Sequence, residues 1–282
     1  MTKTPEMMTD QEFADMLANV LTVQPIEQDY YQGPALENWQ IGRAYGGLVI
    51  AQATMAAIET VEPHKICHSL HAYFMRPGDA TAPILYQVER DNDGRSFSTR
   101  RVIALQNGRP ILNFSASFHA REDGFSHATP MPDMLRVDEL PEDSSLIFRF
   151  PVETRRTWRR DLAAEDMSAP SYDFWFRVRG DLGSDPRLHL GAIAFASDLG
   201  VLTASMKPHG KNYTAPGMQV TSLDHALWLH GDARADEWML FVTESPWAGA
   251  ARGFNTGRIY TADGRMIANI AQEGLTRHIG GA

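Results

Sequence analysis

The sequence predicts an α+β fold built from two similar units in tandem, each an antiparallel sheet wrapped around one central helix. Three observations predict it. First, the chain matches itself: "QNGRPILNFSASF" (Gln106–Phe118) lies over "ADGRMIANIAQEG" (Ala262–Gly274), and "SLHAYFMRPGD" (Ser69–Asp79) over "SLDHALWLHGD" (Ser222–Asp232). Both matches fall at an offset of about 155 residues, and a repeat at fixed offset reports architecture before any local pattern does. Second, the matched turns Asn107-Gly108 and Asp263-Gly264 stand between alternating strands, which is a strong short-range hairpin signal. Third, each half opens with one helix of small and apolar residues followed only by strands, so the sheet has one helix to wrap.

The elements follow in order. In the first half the helix is "YGGLVIAQATMAAIE" (Tyr45–Glu59), then come strands "HSLHAYFM" (His68–Met75) and "PILYQVERD" (Pro83–Asp91), then a hairpin over Phe97–Phe118. In the second half the helix is "LHLGAIAFASDLGVLTASM" (Leu188–Met206), the strands are "GMQVTSLDHALWLH" (Gly217–His230) and "EWMLFVTES" (Glu237–Ser245), and the hairpin spans Ala251–Gly274. Between them, Arg121–Ser171 is rich in Pro, Asp, Glu and Arg and reads as a linker with at most short helical pieces. The expected division is a unit at 1–120, a linker at 121–171 and a unit at 172–282.

Composition narrows the function. With 282 residues and 43% hydrophobic content, the chain has ample core for two units. The net charge of −9 argues against nucleic acid as a partner, since such binding needs clustered Lys and Arg. Two short basic pieces, Thr99–Arg101 and Lys207–Lys211, are candidates for a small phosphorylated ligand, though rim charge clusters are the commoner meaning of such pieces. No long apolar run suggests a membrane span, and the acidic N-terminal residues are unlike a secretory signal, so a cytoplasmic protein is expected. Cys67 is the one cysteine, which rules out an internal disulfide and a cysteine-ligated zinc cluster. No cofactor is implied and no metal set is visible. The signatures of α/β-hydrolases, phosphate-loop NTPases, zincins and dinucleotide enzymes are absent.

Candidate chemistry comes from polar residues on faces that ought to be apolar. In "AFASDLGVL" (Ala194–Leu202), Asp198 shares a helical stripe with Ala194, Val201 and Leu202. Burying an unpaired carboxylate costs several kcal/mol, so Asp198 is expected to have partners. In "MIANIAQEG" alternation aligns Gln272 with Ala268 and Ile270, and in "TSLDHALW" Ser222 and Asp224 share a face with Ala226 and Trp228. The repeat places Gln272 over Ala116, which cannot do the same work. One polar group of this kind is ordinarily a satisfied core residue, but three in one unit, beside an Asp on its central helix and with Ala116 matching Gln272 in the other unit, point to a single working site in the second half or at its junction with the first.

The motifs "HSLHAYFMRPGD", "GRSFSTRRVIALQNGRPILNFSASF", "ASDLGVL", "SLDHALWLH", "ARGFNTGRIY" and "AQEG" resemble those of the type II acyl-CoA thioesterases, bacterial thioesterase II and its peroxisomal relatives, over nearly the whole chain outside the linker and the extreme termini. The resemblance implies a tandem double hot-dog fold and hydrolysis of acyl-CoA to fatty acid and CoA. It also implies the site: an Asp, a Ser or Thr and a Gln that hold and polarise the attacking water, carried here onto Asp198, Ser222 and Gln272. These types suit the task, since a buried Asp can orient water and take its proton, while Ser and Gln both donate and accept. Helix N-terminal N–H groups are the expected kind of oxyanion donor, at a position the sequence does not locate. The chain departs from the family in carrying Gly46-Gly47-Leu48 where Gly-Gly-Gln is common and Ser222 where Thr is common, and "HIGGA" carries no peroxisomal address.

Two other readings compete. One is a non-catalytic acyl-CoA or acyl-carrier binding protein of the same fold. The other is a hot-dog hydratase using an Asp–His pair, for which Asp224 and His225 are unsuited because neighbours on a strand point apart. A homo-oligomer through sheet edges or faces is compatible with the fold.

Overall fold

The computed structural model describes residues 8–35, 43–140, 151–157, 169–213 and 215–279. The N-terminal half runs α1 (Asp10–Leu21), β1 (Gln24–Glu27), β2 (Tyr30–Gly33), α2 (Gly46–Ile58), β3 (Lys65–Phe74), β4 (Ile84–Asp93), β5 (Phe97–Gln106) and β6 (Arg109–Ala120). The C-terminal half runs β7 (Val152–Arg156), β8 (Phe174–Val178), α3 (Pro186–Ala196), α4 (Thr203–Met206), β9 (Met218–Ser222), β10 (Asp224–Leu229), β11 (Met239–Gly249), β12 (Arg252–Thr261) and β13 (Met266–His278). The strands run β1-β2-β4-β5-β6-β3-β10-β13-β12-β11-β8-β7, with β9 also on β13. Within that order the repeat is plain: β2-β4-β5-β6-β3 is matched, reversed, by β10-β13-β12-β11-β8. The two expected sheets are therefore one. They join where β3 and β10 pair antiparallel, Leu70 opposite Leu227, which satisfies two edges that would otherwise present unpaired N–H and C=O groups.

α2 is buried around its whole circumference from Gly47 to Ala57, apolar except at Gln52 and Thr54, as a helix wrapped by a sheet requires. α3 starts cleanly because Asp185 caps it, accepting from Arg187 N, with Pro186 in the first turn. The helix read from Leu188 to Met206 does not run through. α3 stops at Ala196, the Ser197 hydroxyl oxygen lies 2.8 Å from the Ala194 carbonyl, and Gly200 takes φ 66°, a turn conformation that Gly adopts without penalty. The strand read from Gly217 to His230 also divides. At Leu223 the chain steps from β9, which pairs with the C-terminal part of β13, to β10, which lies between β3 and the earlier part of β13.

The segment 121–171 is more than a connector, because β7 lies in it and pairs with β8. Met134 and Leu140 from the same segment pack with Trp175, Leu240, Val242 and Tyr260 in a small second core, and Trp175 Nε1 donates to the Leu135 carbonyl at 2.8 Å. Apolar side chains of β8, β11 and β12 that the main core does not use are thereby covered.

Candidate active site

The start of α2 meets the end of α3, and at the far end of the pair Arg187 reaches Glu59 at 3.4 Å. This contact depends on two glycines. A Cβ on Gly47 would stand 2.3 Å from the Phe195 carbonyl oxygen, and one on Gly46 would stand 2.7 Å from Asp198 Oδ2. Only hydrogen fits at either place, so the N-terminus of α2 opens directly onto the turn that follows α3. Asp198 sits in that turn rather than on a helical stripe, and the Gly47 N–H bonds to its carboxylate. First-turn amides have no partner within their own helix, and the positive end of the helix favours an anion there.

The structure brings the three candidate residues into direct contact. Gln272 on β13 donates through Nε2 to Asp198 Oδ1 at 2.8 Å and to Ser222 Oγ at 2.6 Å. Ser222, the last residue of β9, donates to Asp198 Oδ1 at 3.3 Å. Gln272 is buried in line with Ala268 and Ile270, as alternation predicts. Its partner on β12 is Asn255, and the matching pair in the first half is Arg100 with Ala116, so the Gln-for-Ala exchange holds in the register itself. The second half carries the polar set, and α2 of the first half closes it with backbone alone.

Two members of the network are missed by sequence alternation. His225 Nδ1 lies 2.9 Å from Gln272 Oε1, and its Nε2 lies 2.9 Å from Ser197 Oγ. Alternation along one unbroken strand would put Ser222 and His225 on opposite faces, but the step at Leu223 resets the count and both reach the same amide. Asp224 turns elsewhere, accepting from Glu273 N at 2.7 Å. The break is set by β13 pairing with two successive strands, and no local residue pattern announces it.

Burial pushes the Asp198 carboxyl above its ordinary pKa, while the nearby His225, the Gln272 amide, the Gly47 N–H and the Ser222 hydroxyl pull the other way. His225 is pushed down by burial, with Asp198 opposing, so its ring is held toward the neutral form. Tyr45, whose hydroxyl donates to the Phe195 carbonyl at 2.9 Å, is raised by burial and then by the charge of Asp198. Cys67 is buried, and burial lifts its thiol to about 12, which makes it inert as a nucleophile.

Other polar residues have structural partners. Gln52 on α2 donates to the carbonyls of Val20 and Pro34 and accepts from the Tyr86 hydroxyl. Leu48 packs into the main core. Of the basic pieces, Arg100 is buried against Thr60, Asn92 and Asp93, Arg101 pairs with Glu89 and Asp91, and Lys207 donates to the Ser171 carbonyl.

Comparison with known proteins is consistent over nearly the whole length. A family model described as acyl-CoA thioesterase matches residues 142–275, and one described as the acyl-CoA thioesterase N-terminal domain matches 35–119. Human acyl-coenzyme A thioesterase 8 is 35% identical, covering 93% of this chain and 89% of its own. The chain belongs to the acyl-CoA thioesterase family. Another thioesterase relative, acyl-CoA thioesterase 2 of Haemophilus influenzae, is 31% identical over 93% of this chain and 96% of its own. Among solved structures, the acyl-CoA thioesterase II TesB2 of Mycobacterium marinum superposes with a TM-score of 0.83 at 39% identity, covering 94% of this chain and 100% of that one. A hot-dog protein of Alicyclobacillus acidocaldarius, at 16% identity and a TM-score of 0.76 over 93% of this chain and 97% of its own, shares the fold. The type II thioesterase family and the double hot-dog architecture thus stand together.

Proposed function

We propose that this chain hydrolyses acyl-CoA thioesters by direct attack of a water molecule held and deprotonated by Asp198, with Gln272 fixing the carboxylate and the Ser222 hydroxyl, and Ser222 helping to hold the water. The observation that supports this most is the mutual bonding of the three side chains at the opening of α2. In the reaction, the water oxygen bonds to the thioester carbonyl carbon while its proton passes to Asp198. The tetrahedral intermediate then collapses with cleavage of the C–S bond, and the proton leaves with the CoA sulfur. Charge on the former carbonyl oxygen is met by the positive end of the α2 dipole. Ser222 bonds to the carboxylate rather than to a ring nitrogen, which fits a hydroxyl that orients and does not attack.

Purified protein incubated with acyl-CoAs of graded chain length and a thiol reagent should release free thiol. Tight acyl-CoA binding without thiol release would favour a non-catalytic binding protein instead.

A further inference from the structure

Gln272 serves Asp198 only while its amide points one way. Both amide hydrogens face the site, one toward Asp198 Oδ1 and one toward Ser222 Oγ. The carbonyl Oε1 therefore faces back, 2.9 Å from His225 Nδ1. A carbonyl oxygen can only accept, so Nδ1 must carry the proton. At the other side of the ring, Ser197 Oγ lies 2.9 Å from Nε2 and 2.8 Å from the Ala194 carbonyl. Its single proton goes to one of the two, and in a neutral ring only donation to Nε2 matches a protonated Nδ1. Ser197, His225 and Gln272 are each at most 1% exposed, so water does not replace a partner that is lost.

We propose that His225 is a positioning residue for thioester hydrolysis: its Nδ1–H holds the Gln272 amide with both N–H groups toward Asp198 and Ser222, and Ser197 holds the ring. The proposal rests on the hydrolytic reading of Asp198, Ser222 and Gln272. Turning the amide over would set Oε1 against the Asp198 carboxylate, acceptor facing acceptor, and N–H against N–H at the ring. The orientation is thus set at one end by the charge of Asp198 and at the other by the tautomer of His225. Burial, which disfavours the ring's charged form, keeps that tautomer a meaningful choice. The first half has no such chain, since Ala116 stands where Gln272 would be.

The test uses the full chain, four single variants and one double variant, with kcat and KM read by thiol release and folding by circular dichroism. Asn carries its amide nitrogen about where Nδ1 stands, whereas Gln reaches toward the Nε2 side. His225→Asn should therefore keep most of the wild-type kcat, and His225→Gln should not. His225→Leu should lower kcat by about ten- to a hundredfold, as a misplaced catalytic group does, while leaving KM close to wild type. In a Gln272→Ala background, itself slow, His225→Leu should cost nothing further, because the group it positions is gone. Wild-type kcat in folded His225→Leu would overturn the proposal. So would equal loss in the Asn and Gln variants, a comparison that stands if the Leu variant does not fold, or full additivity with Gln272→Ala. Wild-type kcat in Gln272→Ala would instead strike the hydrolytic reading of the site and, with it, any role for His225 through that amide.

Discussion

Asp198→Asn is the most decisive substitution, because it nearly preserves shape while removing the group that takes a proton. The Asp198 carboxylate accepts from Gln272, from Ser222 and from the Gly47 N–H. An asparagine carbonyl placed at Oδ1 still accepts from Gln272 and Ser222, but the amide can no longer serve as a base. Turnover should fall by roughly 10²–10⁴, the usual range for a lost general base, equivalent to about 2.7–5.4 kcal/mol in the barrier. Stability should move little. The fold loses charge-assisted hydrogen bonds but no longer desolvates a carboxylate, and these terms oppose each other. A melting temperature within about 4 °C of wild type is expected for a chain of this size. Thiol release and thermal unfolding measured on one preparation separate the two roles of Asp198. A purely structural carboxylate would show lowered stability and normal turnover per folded molecule, and near-wild-type hydrolysis by the folded variant would refute the catalytic assignment.

The remaining predictions test the surroundings of that carboxylate. Because burial holds Asp198 above the ordinary 3.8 and the base must be ionised, kcat/KM should fall with decreasing pH through a limb above that value; a limb at or below it would contradict the assignment. The same raised pKa means that the protonated form is the one the fold favours. Its stabilisation is present at low pH and lost as pH rises through the folded pKa, so Asp198→Asn should gain melting temperature relative to wild type over that rise, and an unchanged difference would count against it. Gln52→Ala should cost about 3 kcal/mol or more by leaving buried partners at Val20, Pro34 and Tyr86 unpaired; turnover per folded molecule should persist, and its abolition would give the first helix a role in the chemistry. Gly47→Ala, whose Cβ would stand 2.3 Å from the Phe195 carbonyl, should cost about 1–3 kcal/mol in stability and lower turnover as α2 withdraws from Asp198. Unchanged melting and kinetics would show that the close approach is unimportant.

Much of this molecule was legible in the sequence because repeats and alternation are linear signals. The match of Asn107-Gly108 with Asp263-Gly264 located both long hairpins, and the exchange of Ala116 for Gln272 marked which half carries the polar set. Asp198 stood out because a carboxylate among small apolar residues demands partners whatever its exact conformation. The helical stripe assigned to it was wrong, since α3 stops at Ala196, yet the inference of buried partners rested on desolvation and survived. Only the tertiary structure decided the rest. The joining of the sheets through β3 and β10, the β7 strand within 121–171 and the closing of the site by Gly46 and Gly47 all depend on contacts between distant segments. His225 shows the reason most clearly. Periodicity assigns a residue's face only while its strand runs unbroken, and the break at Leu223 arises because β13 is long enough to pair with two successive strands, a length-matching condition between segments that no window along the chain contains.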